Sequence, residues 1–227
     1  MDVARPAAYG FEWVSAAGAS MIADLTRFER AIALFDAAHA EDPRPGDGGI
    51  PSELVYARRM SEMLERLAPD ASEEVKLAVR AQHLQRWKTP RDAYPMDRPG
   101  YLAWRAEAAR AHAALAGRLL REAGYGDQAV ERVQAAVAKR GLKVNPETQL
   151  LEDVADLVFL EHYLEGFAAE KPDYAEEKWL DILAKTWRKM SERARAFALS
   201  GALRLPPAFA PLVEKAVARS SGGSAAT

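Results

Sequence analysis

The stretch NPETQLLEDVADLVFLEHYL, residues 145–164, decides the class of fold. Asn145 offers a side-chain acceptor to free backbone N–H groups, and Pro146 suits a first helical turn, where its missing N–H is no loss. From there Leu150, Leu151, Val154, Leu157, Val158, Leu160 and Leu164 recur every three or four residues, the period of one helix face. This helix is the most apolar in the chain and is expected at the centre of the fold. Two carboxylates interrupt it. Asp153 falls in the row of Leu150, Leu157, Leu160 and Leu164, and Asp156 is nearly as inward, beside Phe159, Leu160 and Tyr163. A buried carboxylate needs a partner, and an arginine, a hydroxyl or a metal would each serve.

The flanking segments read as helices too. Met21 opens a first one, with Thr26 and Glu29 at capping-box spacing and Leu25, Phe28, Ile32 and Phe35 on one face. Residues 41–49 hold two prolines and three glycines and form a loop. Ser52 begins a second helix, and Asp70 or Ser72 caps a third running to about Lys88. Pro90, Pro95 and Pro99 then force an extended connection. A long helix from about Gly100 stops at Gly124, a shorter one spans Asp127 to Arg140, and Asp173 with Glu176 resembles a cap pair for the last long helix. The expected architecture is an all-α single-domain helical bundle of about seven to nine helices. It divides into a flexible leader over 1–20, the helical domain over 21–205, and a short helix with a disordered tail over 206–227.

Of the 227 residues 49% are apolar, enough for a sizeable core, and there is no cysteine. Disulfides, thiolate nucleophiles and thiolate metal sites are therefore excluded. No apolar run approaches the roughly 18 residues a membrane span needs, and the N-terminus lacks the pattern of a secretory signal, so the expectation is a cytoplasmic protein with no membrane partner. The formal net charge is −2, but it is unevenly spread. Between Lys76 and Arg121 ten Lys/Arg face three acids, and between Glu147 and Asp181 eleven acids face two lysines. Either the two segments pair with each other or the basic one binds an anion.

The densest cluster of chemistry-bearing side chains lies between Gln82 and His112. A proline-stiffened loop rich in Arg and aromatics can hold guanidinium groups for a phosphate or carboxylate, while the rings stack or sheathe the arginine stems. The candidate ligand-binding residues are Arg86, Trp87, Arg91, Tyr94, Arg98, Tyr101 and Arg105. His83 and His112 each lie on a partly apolar face and are candidates for proton transfer, with Asp153 to orient them or hold a metal. His39, at a helix end beside Glu41 and Asp42, reads as a surface residue. The expected partner is a small anionic ligand. The slightly acidic chain shows no recognition module for nucleic acid. Oligomeric state is left open.

Residues 50–165 resemble the HD-domain superfamily of helical metal-dependent phosphohydrolases. Glu53 to Met60 has the shape of that superfamily's first ligand helix, with Tyr56 where the first histidine would stand. The run Ala78 to Leu84 is similar to its His-Asp helix, with His83 as the histidine and Leu84 in place of the aspartate, and Asp153 or Asp156 matches the final aspartate. The resemblance implies an HD-like central part and phosphoester chemistry. Two of its four metal positions are altered, so only a single divalent metal on a rebuilt site would remain as cofactor. From about Leu25 to Ala198 the chain also resembles an uncharacterised family, on the phrases Gln82-His83…Arg86-Trp87…Pro90-Arg91…Tyr94-Pro95, Gly100-Tyr101…Trp104-Arg105 and Lys185-Thr186-Trp187. That likeness implies a fold but no activity. The functional expectation is binding, and hydrolysis, of a phosphate-bearing small molecule or nucleotide; the alternative is a non-catalytic anion-binding or regulatory module.

Overall fold

In the computed structural model, residues 25–222 are described. They form ten α-helices, and among them there is no strand beyond one isolated bridge between Pro45 and Pro51. The helices are α1 (Arg27–Ala40), α2 (Ser52–Leu67), α3 (Glu73–Ala81), α4 (Arg98–Glu122), α5 (Asp127–Val137), α6 (Pro146–Val158), α7 (Leu164–Ala169), α8 (Glu176–Lys189), α9 (Glu192–Leu199) and α10 (Ala210–Gly222). The all-α single domain expected from the sequence is what the described residues form, with ten helices among them where seven to nine were expected. The leader and the residues past 222 lie outside the described part.

Helix α6 is central, touching α2, α3, α5, α8 and α9. Asn145 caps it, its Oδ1 accepting from the N–H groups of Glu147 and Thr148. Leu151, Val154, Leu157 and Val158 are fully buried against the inward faces of its neighbours. Burying a side chain of this kind contributes about 1.5–3 kcal/mol relative to leaving it exposed, so this row alone fixes which face turns inward. Past Val158 the helix loosens into a π turn, Phe159–Tyr163, before resuming as α7.

Several boundaries differ from the reading of the sequence. The first helix begins at Arg27, with the Thr26–Glu29 capping box formed in both directions. Helix α3 ends at Ala81 instead of continuing to Lys88. Gln82 leaves the helical region, and His83 and Gln85 adopt left-handed backbone (φ 66° and 52°). Such conformations are uncommon for residues other than glycine, asparagine and aspartate, and a helical period cannot reveal them. The proline-rich connection is two 3-10 turns, Arg86–Lys88 and Arg91–Ala93, and Asp97 caps α4 by accepting from Gly100 N. The cap position of α8 is Ala175, so Asp173 and Glu176 do not form the cap pair. Helix α10 packs on α8, with Val213 and Ala216 buried and Lys215–Glu176 and Arg219–Glu177 ion pairs along the seam.

His39 is a correction. It is wholly buried, not on the surface, and its Nε2 donates to the carbonyl of Arg80 at 3.0 Å. Arg80 in turn grips Asp36 with two bonds of 2.7 Å, tying α3 to α1.

Candidate functional site

A cleft of about 840 Å³ opens where α2, the α3–α4 connection, α4, the α5–α6 connection, α6 and the π turn approach one another. Its residues are placed by identifiable local structure. At the start of α2, Asp42 accepts from Glu53 N at 3.0 Å and is clamped by Arg44, which also reaches Glu53 Oε1 at 2.8 Å. Glu53 and Tyr56, three residues apart, therefore share the face of α2 turned to the cleft. The left-handed turn at His83 swings its imidazole onto the Tyr56 ring, with centroids 4.5 Å apart and planes 17° from parallel. Tyr163 from the π turn lies 5.7 Å beyond Tyr56, and His112 of α4 lies 5.8 Å beyond His83. Four rings from four parts of the chain thus run in contact along one side of the cleft.

Arg86 sits over this row. Its Nη1 is 3.0 Å from His83 Nε2 and its guanidinium carbon lies 5.3 Å from the Trp104 ring, which is itself pinned by a 2.8 Å bond from Nε1 to the carbonyl of Thr89. Among the described residues no carboxylate comes within ion-pair distance of Arg86; its charge works to lower the pKa of Glu53 against burial, while Glu53 Oε1 is held by Arg44. Arg105 lies over Tyr101 at 5.7 Å, also without an ion pair.

The acid-rich part of the cleft carries a different cluster. Glu152 pairs with Lys139 and Lys189, and Lys189 also reaches Asp156 Oδ1 at 2.5 Å. Glu152 is buried, which by itself raises its pKa, yet its two lysines outweigh burial and hold it down at about 2. Burial and the neighbouring Glu152 charge raise Asp156 to about 7 against the pull of Lys189. Burial lowers His83 well below the ordinary imidazole value, with Arg86 adding to the effect, and lowers His112 to about 4. His112 Nδ1 donates to the carbonyl of Leu84 at 2.7 Å. Lys139, like His83, holds a left-handed backbone (φ 55°). Two of the four non-glycine left-handed residues among those described therefore line this cleft, and stored backbone strain of this kind gathers at ligand sites.

Of the residues singled out in the sequence, His83, His112, Arg86, Tyr101 and Arg105 are brought together here. Trp87, Arg91, Tyr94 and Arg98 are not in the lining. Arg91 donates instead to the carbonyls of Tyr94 and Asp97, which shapes the loop. Asp153 is also elsewhere: its carboxylate accepts from Ser191 N (2.8 Å), Ser191 Oγ (2.5 Å) and Gln149 Nε2 (2.9 Å), so it braces the start of α9. Asp156 and Glu152 take the place in the cleft that Asp153 was expected to hold. The basic and acidic segments do not pair: no ion pair among the described residues joins 76–121 to 147–181, and both segments contribute side chains to the cleft. Arg44, Lys139 and Lys189 were not anticipated, because they come from segments with no local signal of chemistry.

The residues do not suit a metal. No three His, Asp or Glu side chains among those described converge as a divalent ion requires. Leu84 is 2% exposed and belongs to the core.

The site and fold define an all-α domain with an arginine- and aromatic-lined polar cleft, and among the described residues no helix is long and apolar enough to cross a membrane. The chain belongs to the family of the domain of unknown function DUF4202, whose model matches residues 29–213. No curated protein and no solved structure matches it.

Proposed function

We propose that this protein binds a small phosphate- or carboxylate-bearing molecule in the cleft, with Arg86 and Arg105 receiving the anion. The observation that carries the reading is Arg86: a half-buried guanidinium seated among rings, with no carboxylate partner among the described residues. Its charge acts on Glu53 without forming an ion pair, so its hydrogen-bonding edge is not spent on a carboxylate, and a planar guanidinium gives an oxyanion two parallel hydrogen bonds. The resemblance in sequence of residues 50–165 to HD-domain phosphohydrolases also favours a phosphate group.

Isothermal titration with phenyl phosphate tests the reading. Saturable binding that weakens at least tenfold in Arg86→Ala is expected, and the absence of saturable binding by this or any other phosphomonoester would overturn it.

A second reading adds chemistry. The Leu84 carbonyl holds the Nδ1 proton of His112, so Nε2 is the nitrogen able to take one up. In phosphoester hydrolysis a water oxygen would bond to phosphorus as the ester P–O bond breaks, and the water proton would pass to this nitrogen and from it to the departing ester oxygen. Burial keeps His112 a weak base, and a phosphate dianion beside it would raise its basicity toward neutral pH. Turnover of phosphomonoesters that disappears in His112→Asn would support this; ligand binding without turnover leaves a binding module.

A further inference from the structure

Gln82 and Asp156 both line the cleft, one at the end of α3 and the other on α6. They are 4% and 6% exposed, and one side-chain oxygen of each, Gln82 Oε1 and Asp156 Oδ2, has no hydrogen-bond partner. The only other buried side-chain atom in this condition among the described residues is His39 Nδ1, which is not in the cleft. A buried oxygen without a partner is costly, and two of them on residues that line the same cleft suggest that a partner group belongs there.

We infer that the ligand is a polyhydroxylated phosphate ester, a sugar or polyol phosphate, whose hydroxyl groups bond to Asp156 Oδ2 and Gln82 Oε1. The inference rests on the anion-binding reading above and adds the other end of the molecule.

Three arguments select hydroxyls. First, each charged group there already has a partner, Glu152 with Lys139 and Lys189 and Asp156 with Lys189, so none is left free to recruit a second charged group. Second, a hydroxyl both donates and accepts, so it satisfies Asp156 whether or not the carboxyl is protonated, and Gln82 whichever way its amide is turned. An ammonium or a carbonyl would suit only one of those states. Third, about 840 Å³ is far more than one phosphate fills and lies in the range of sites for whole small molecules.

The experiment compares two phosphomonoesters on the full chain by calorimetry: ribose 5-phosphate, which carries hydroxyls, and phenyl phosphate, which carries none. Ribose 5-phosphate is expected to bind at least tenfold tighter. The ratio of the two affinities should fall below threefold in Gln82→Met, which keeps the shape without the oxygen, and in Asp156→Leu, which leaves Lys189 paired with Glu152. Equal affinities in the unaltered protein overturn this inference and leave the anion site standing. A ratio unchanged in both variants overturns the assignment to these two oxygens. If neither compound binds, the anion reading falls and this inference with it.

Discussion

His112 donates from Nδ1 to the carbonyl of Leu84 across 2.7 Å, joining the middle of α4 to the left-handed turn after α3. The bond closes the turn that aims His83, so it is structural as well as chemical. Asparagine places an amide N–H near where Nδ1 stood, whereas alanine leaves the Leu84 carbonyl without its donor. His112→Ala is expected to lose about 1–3 kcal/mol in urea unfolding, and His112→Asn less than half of that. Equal losses would show that the bond does not hold the turn.

Asp153 and Asp156 lie three residues apart on α6 and have separate duties. Asp153 meets the first turn of α9 through Ser191, so Asp153→Ala leaves Ser191 N and Oγ without their acceptor. A stability loss of about 1–3 kcal/mol is expected, with less than a twofold change in phenyl phosphate affinity. A large loss of affinity without a loss of stability would return Asp153 to the site.

Stability should depend on pH through buried groups of opposite sense. Burial lowers His39 and His112 to about 4, below their ordinary value of 6.5. The unfolded chain therefore takes up these protons first, and stability present above pH 6.5 is lost as pH falls toward 4, on the order of 3 kcal/mol for each histidine. Asp156, raised to about 7, works the other way: its contribution is present below about pH 4 and is lost as pH rises through 7. The two histidines together outweigh the one carboxyl, so melting temperature should rise from pH 4 to 6.5. Asp156→Asn removes the opposing group and should steepen that rise in thermal melts; a shallower rise would show the carboxyl already ionised in the folded protein at pH 5.

The helices were legible in the sequence where apolar periodicity and caps agreed. Asn145-Pro146 and the leucine row located α6; Thr26 and Glu29 carried the cap signal of α1, but the helix was expected from Met21 and begins at Arg27. The turn after Ala81 was not legible, because His83 and Gln85 are residues whose type gives no hint of left-handed backbone. That turn is what brings His83 to Tyr56. Helical projection places Asp153 and Asp156 both inward, and it cannot say which neighbour each meets; Ser191 decides for one and Lys189 for the other. His39 looked exposed because Glu41 and Asp42 follow it, yet the α3 carbonyl at Arg80 lies directly against its ring. Charge segregation singled out two segments and left their relation open. They share a cavity without neutralising each other.

The π turn at Phe159–Tyr163 supplies Phe159, His162 and Tyr163 to the cleft. A single wide turn of this kind accommodates one residue more than an α-helix would over the same rise. Deleting one residue there would restore an ordinary helix while leaving Leu164 and everything after it in its present phase. The scaffold and the binding surface are therefore separable at this point: a one-residue deletion could erase the cleft's inner wall and leave the bundle standing.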